Sequence, residues 1–247
     1  NIKVSANAPR CTNVKPVAHR GYHPDSAHTE NSIAALKYAQ ELGVYGSEFD
    51  VWMTKDGGLF INHDGKLNNV TIQSSTTAQV KDLKLANGER ISTLKDYLEQ
   101  GKLVPSVKMI LEIKTHASAD ANKKVTSACI DLVKSLNMTE QVEWIAFDYA
   151  ICKQIRAALP NAVVQYLNGD KAPSALAKEK ISAIDYSMSA LNKNPGWIDE
   201  AHQNNMFVNV WTVPKADLNT WISKGVDVIT TNDAKDLMNI VRIYSEK

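Results

Sequence analysis

Eight short apolar stretches, most of them followed by a segment of helical length, constrain this chain more than any other feature. They are Pro16 to His19, Val44 to Met53, Val107 to Ile113, Val142 to Phe147, Ala162 to Leu167, Ala183 to Tyr186, Phe207 to Val213 and Val226 to Thr230. Stretches this short, bounded by polar turns, read as strands buried on both faces. Asn31 is placed to cap a helix through Leu42, with Ile33, Leu36 and Ala39 to Gln40 on one side and Gly43 closing it. Residues 120 to 136 carry Val125, Ala128, Cys129, Leu132 and Leu136 at three- and four-residue spacing. Pro195, Pro214 and Asp233 stand near the starts of later helices, where a missing amide or a carboxylate is tolerated. Strict strand and helix alternation demands parallel strands with crossover helices. Eight such units in 247 residues match a closed (β/α)8 TIM barrel better than an open doubly wound sheet.

No segment repeats at a solenoid period and no Pro/Gly/Ser-rich linker divides the chain, so residues 1–247 read as one domain. At this size about 70% of the unfolded surface can be buried, so the core needs no staples. Cys11, Cys129 and Cys152 allow at most one disulfide and lack zinc-site spacing. Lys and Arg total 28 against 27 Asp and Glu; a net charge of +1 does not predict a nucleic-acid partner. The longest apolar runs are four residues, against the ~20 needed to cross a bilayer, and no transmembrane segment is expected. The chain opens with Asn1 and shows no charged-then-apolar leader. We therefore expect a processed, exported protein, periplasmic or extracellular, with the cytoplasm as the alternative. Oligomeric state is left open.

One region breaks the alternation. Leu59 to His63 reads as an extra strand, returning from Val44 to Met53 through the turn Lys55-Asp56-Gly57-Gly58. Residues 64 to 106 then read as a polar insertion on the second strand-to-helix loop, with one short helix near Thr93 to Gln100. Such loops surround the active-site face of a barrel, so the insertion is either a surface excursion or a lid.

Chemistry concentrates on the second and third strands. Because strand side chains alternate, Phe49, Val51 and Met53 share one face, and Gly46, Glu48, Asp50 and Trp52 the other. Two carboxylates about 7 Å apart inside a barrel repel and are poorly solvated, which calls for a cation between them. Glu112 and Lys114 repeat the pattern, with Met109, Leu111 and Ile113 facing the helices. Three oxygen ligands and no cysteine suit one hard divalent ion, Mg²⁺ or Ca²⁺. The plainer alternative is a set of ion pairs with Lys114 and Arg20. His19 and His63 each end a strand at the same mouth, and a pair of imidazoles can give and take protons near neutral pH. Arg20 and Lys114 would neutralise phosphoryl charge. Trp52 and Trp211, also near the mouth, would suit a quaternary ammonium.

Residues 17 to 64 resemble the glycerophosphodiester phosphodiesterase family. They carry its ordered His-Arg-Gly, Glu-Asn, Glu-x-Asp, Thr-x-Asp-Gly and His-Asp, and LEIK at 111 to 114, NVWTV at 209 to 213 and GVDVITTND at 225 to 233 extend the match. The resemblance implies a barrel that hydrolyses glycerophosphodiesters to glycerol 3-phosphate and an alcohol with a divalent cation. By position it implies metal ligands Glu48, Asp50 and Glu112, an acid/base pair His19 and His63, and phosphate contacts Arg20 and Lys114. It also implies Trp211 as a substrate-lining aromatic, a residue otherwise read as core, and Glu30 as an acid beside the site, otherwise a first-turn helix residue. Thr29 and Ala234 stand where the family usually has proline, which bears on loop geometry. Two other readings remain at this stage: a related barrel lyase acting on lysophospholipids or other diesters with a cyclic phosphate product, and a non-catalytic binder of a phosphorylated polyol.

Overall fold

A computed structural model describes residues 14–245, so Cys11 lies outside the described residues. Its first half runs β1 (Lys15–Ala18), α1 (Ile33–Leu42), β2 (Gly46–Met53), β3 (Leu59–Ile61), β4 (Lys66–Leu67), β5 (Val70–Thr71), α2 (Thr77–Val80), α3 (Leu94–Lys102), β6 (Lys108–Ile113) and α4 (Ala119–Ser135). The second half runs β7 (Val142–Ala146), α5 (Tyr149–Ala158), β8 (Val164–Tyr166), α6 (Pro173–Ala177), β9 (Ala183–Ser187), α7 (Met188–Lys193), α8 (Trp197–Gln203), β10 (Phe207–Trp211), α9 (Leu218–Ser223), β11 (Val228–Thr231) and α10 (Ala234–Ser245).

Eight of these strands pair in parallel as β1-β2-β6-β7-β8-β9-β10-β11, and β11 returns to β1, closing a TIM barrel. Every one of the eight apolar stretches overlaps a barrel strand. β3 is the added antiparallel strand, with Trp52 opposite Phe60. Alternation divides the core in two. Phe49, Val51, Met109, Leu111, Trp144 and Val208 pack outward against the helices, while Val17, Ile110, Ile145, Leu167 and Val228 fill the barrel itself. The free thiols of Cys129 and Cys152 are buried.

Three expectations need correction. Asn31 does not cap α1: Ser32 does, its hydroxyl accepting from Ala35 N, while Asn31 takes a left-handed φ of 60° and turns its amide into the barrel. The insertion ends earlier than residue 106, because α3 is the crossover helix of the second unit, with Leu94, Tyr97 and Leu98 buried in the main core. Nor is the excursion merely polar. Phe60, Ile72, Val80, Leu85 and Ile91 form a small core of their own, spaced too irregularly along the sequence to show a period. Gly43 closes α1 in the left-handed region as expected. Asp233 precedes α10, but its carboxylate accepts from Lys215 N and so ties down the loop after β10.

Candidate active site

The inward faces of β2 and β6 place the acids. Asp50 is in register with Glu112, and Glu48 lies one step down the same strand face. All three are buried, and one carboxylate oxygen from each lies within 4.8 Å of the others. The loop after β1 wraps over this cluster. Arg20 adopts a left-handed φ of 58°, a conformation that costs a non-glycine residue of order 1 kcal/mol. That turn aims two successive amides at Glu48: Arg20 N donates to its Oε2 (2.9 Å) and Gly21 N to its carbonyl (3.2 Å). Asn31 N holds the turn through the Arg20 carbonyl (2.9 Å), and Asn31 Nδ2 donates to Asp50 Oδ2 (3.0 Å).

Two cations flank the acids. Lys114 Nζ lies 2.9 Å from Glu112 Oε2 and 3.5 Å from Asp50 Oδ1, although neither oxygen has a donor in hydrogen-bond alignment. Arg20 Nε is 4.0 Å from Asp50 Oδ2, and its NH1 donates to Glu30 Oε2 at 2.8 Å. Glu30 therefore steers Arg20 from the half-exposed rim. The ion pairs of the plainer sequence reading form, yet Asp50 Oδ1 and Glu112 Oε2 have no hydrogen-bond partner.

The electrostatics expose the shortfall of positive charge. Burial, then the Asp50 and Glu112 charges, pushes the Glu48 carboxyl well above the ordinary range. Burial and the Asp50 charge push Glu112 up to about 8. Burial also works against the Asp50 carboxylate, but Lys114, the Asn31 amide and the Glu48 hydrogen bond hold it below the usual value. Without another cation, this cluster holds protons at neutral pH that three free carboxylic acids would have released.

The histidines flank the acids at the mouth. His19 Nδ1 is 2.8 Å from Asn232 Oδ1, and His23 Nε2 is 3.2 Å from the same oxygen. Two ring nitrogens converging on one amide oxygen make it the acceptor, so His19 Nδ1 carries the proton and Nε2 offers its lone pair. Burial, then the Arg20 charge, lowers His19 to about 4, keeping it neutral. His63 Nδ1 is 2.7 Å from Asp64 Oδ1 on the solvent side. Trp52 fixes the His63 segment by donating from its indole to the His63 carbonyl (3.1 Å). The same ring packs against His116, so Trp52 supports the hairpin and does not line the cavity as the sequence reading expected.

One cavity unites His19, Arg20, Glu48, Asp50, His63, Glu112 and Lys114 on its polar side with Ile145, Phe147, Leu167 and Trp211 on the other. Trp211 is thus a wall of the site, its indole donating to the Asp185 carbonyl (2.8 Å) and its ring edge-on to Phe147. Every residue singled out from the sequence reaches this cavity except Glu30, which reaches it through Arg20, and Trp52. Sequence reasoning gave Asn31 a different role and missed Asn232, Phe147 and Asp185. Asn31 and Asn232 had signals in the Glu-Asn and GVDVITTND matches, and Asp185 as a lone charge in an apolar stretch.

A closed barrel that gathers a carboxylate triad, two imidazoles and two cations in one cavity has the groups that phosphoester hydrolysis calls for. The model of the glycerophosphoryl diester phosphodiesterase family matches residues 19–236. A glycerophosphodiester phosphodiesterase from Caldanaerobacter subterraneus is 30% identical over 92% of this chain and 97% of its own. The crystal structure of a glycerophosphodiester phosphodiesterase from Parabacteroides distasonis superposes with a TM-score of 0.92 at 34% identity, covering 94% of this chain and 98% of that one. An Oleispira antarctica phosphodiesterase, in complex with its product sn-glycerol-3-phosphate, shares the fold (TM-score 0.79) at 17% identity, covering 92% of this chain and 96% of that one. The chain belongs to the glycerophosphoryl diester phosphodiesterase family and is a phosphoric diester hydrolase. No helix among the described residues is long and apolar enough to cross a membrane.

Proposed function

We propose that this enzyme hydrolyses glycerophosphodiesters to glycerol 3-phosphate and an alcohol, using one divalent cation, Mg²⁺ or Ca²⁺, held by Glu48, Asp50 and Glu112. The observation that carries the reading is the buried carboxylate triad, two of whose oxygens lack a hydrogen-bond donor. Oxygens held 2.3–2.6 Å from a common Ca²⁺ lie no more than about 5 Å apart, a limit the 4.8 Å cluster meets, and the 2.0–2.1 Å bonds of Mg²⁺ would draw them in to about 4 Å. Asp50 Oδ1 and Glu112 Oε2 are buried acceptors in need of a partner. An all-oxygen donor set fits a hard ion. When bound, the cation supplies Lewis acidity and a template for a phosphate oxygen.

The remaining work falls to the chain's own groups. Arg20 and Lys114 neutralise the phosphoryl oxygens, Arg20 from a backbone turn fixed before substrate arrives. His19 is the base: it is kept neutral, and the Asn232 hydrogen bond at Nδ1 leaves Nε2 free to take the proton of the attacking oxygen. His63, more exposed and oriented by Asp64, gives a proton to the departing alcohol as it leaves toward solvent. The attacking oxygen is either water or the neighbouring glycerol hydroxyl, the second giving a transient cyclic phosphate.

A panel of glycerophosphodiesters incubated with Mg²⁺, Ca²⁺ or chelator tests the proposal by release of glycerol 3-phosphate. Release should stop in chelator and return with one of the two ions. Full activity in chelator removes the cation from the reaction, and phosphorus NMR showing a persistent cyclic phosphate would assign the lyase reaction instead.

A further inference from the structure

Asp185, on the inward face of β9, differs from the other acids of the cavity. Glu48 receives an amide, Asp50 an asparagine side chain, and Glu112 the Lys114 cation. Asp185 is 2% exposed and its Oδ1 has no hydrogen-bond partner. Its strongest electrostatic neighbour is another acid, Glu112. It does not belong to the set of oxygens close enough to share an ion. An uncompensated buried carboxyl is a costly thing to keep, and protonation does not remedy it, since the resulting acid still has an O–H to donate and a carbonyl to satisfy.

Its surroundings indicate what the partner is. Asp185 lines the cavity across from the cationic side, among Ile145, Phe147, Leu167 and Trp211. Trp211 is locked beside it by the indole bond to the Asp185 carbonyl. A carboxyl set into an apolar wall fits a ligand with carbon along one side and a hydroxyl at a defined position. A hydroxyl can donate to the carboxyl in either protonation state, whereas a phosphate or a second carboxylate is accepted only where the carboxyl is protonated.

We propose that Asp185 is a specificity-determining residue that accepts a hydrogen bond from a free hydroxyl of the substrate's glyceryl group, whose carbons lie against Trp211 and Phe147. This deepens the function proposed above and rests on it. A site built to bond a hydroxyl discriminates strongly against an analogue that lacks one, because its own buried group is then left unpaired.

Direct binding avoids the question of which oxygen attacks. Titration calorimetry on the Mg²⁺- or Ca²⁺-loaded enzyme, with glycerol 3-phosphate and with n-propyl phosphate, compares two phosphates that differ in their hydroxyls. The wild type should bind glycerol 3-phosphate at least about 10-fold more tightly. Asp185→Ala should lose that preference by weakening glycerol 3-phosphate alone, and Asp185→Asn, which keeps a carbonyl acceptor, should retain most of it. A wild type that binds both equally or binds neither, or an Asp185→Ala enzyme that keeps the preference or weakens both ligands alike, overturns the proposal. Release of glycerol 3-phosphate from diesters by the wild type, measured in parallel, separates the two failures: with release intact, only the role of Asp185 falls, and without release the glyceryl reading falls too.

Discussion

The stability of the cation-free enzyme should decline as the pH rises from 6.5 to 8, and a bound divalent ion should abolish the decline. Burial and Asp50 raise Glu112 to about 8 from an ordinary 4.5. Across this interval the folded state retains a proton that the unfolded chain has released, so the slope of unfolding free energy against pH is negative. At 1.36 kcal/mol per unit, with half of the Glu112 proton already lost at pH 8, the rise from 6.5 to 8 costs about 1.6 kcal/mol from Glu112 alone. For a domain of this size that lowers the Tm by about 3–7 °C. Below 6.5 two sets of groups oppose each other: His19 and His116, lowered by burial, refuse protons that the unfolded chain takes up, while Glu48 and Glu112 still hold protons that it has released, so the decline is confined to the upper interval. Thermal unfolding followed from pH 5.5 to 8.5, in chelator and in saturating Mg²⁺ or Ca²⁺, measures this directly, with Glu112→Gln as the control that flattens the upper limb. A chelated Tm that holds level or rises between 6.5 and 8, or a Glu112→Gln protein with an undiminished fall, would refute the reasoning.

Other perturbations follow from the same geometry. His19→Ala and His63→Ala should each lower kcat by about 10²-fold or more with the far-ultraviolet circular dichroism spectrum retained. Asn232→Ala, which removes only the acceptor that orients His19, should lower kcat by roughly 10-fold with little change in KM, and an equal loss in both parameters would argue against an orienting role. Gly21→Ala should destabilise the protein by at least about 1–2 kcal/mol in denaturant titration. Its φ is +76°, and a Cβ there would stand 2.7 Å from the Ala35 carbonyl carbon.

The strands were legible because a doubly buried strand must be apolar over its whole length. The acids on β2 and β6 were legible because a charge breaking that rule at alternate positions has nowhere to point but inward. What stayed hidden depended on partners distant in sequence. Asn31 has the chemistry of a helix cap, and only the approach of Asp50 shows that its amide is used elsewhere. Asn232 lies 213 residues from His19. Asp185 sits in a strand otherwise apolar enough to pass as filling, and its isolation becomes visible only once the closed barrel brings it near Glu112 and no donor. The core of the insertion draws Phe60 from a strand, Ile72 from a turn and Val80 from a four-residue helix, so no single period runs through it.

The barrel closes where β1 registers along its whole length on β11, Lys15 against Val228 through Ala18 against Thr231. His19 and Asn232 are the residues that follow those two strands. The proposed base is therefore built from the first and last strands of the barrel, 213 residues apart, and its orienting partner is synthesised only after all eight strands. The three acids are thus made well before the group that orients the imidazole, and a chain that stops short of the final strand is left with Glu48, Asp50 and Glu112 but without the partner of His19.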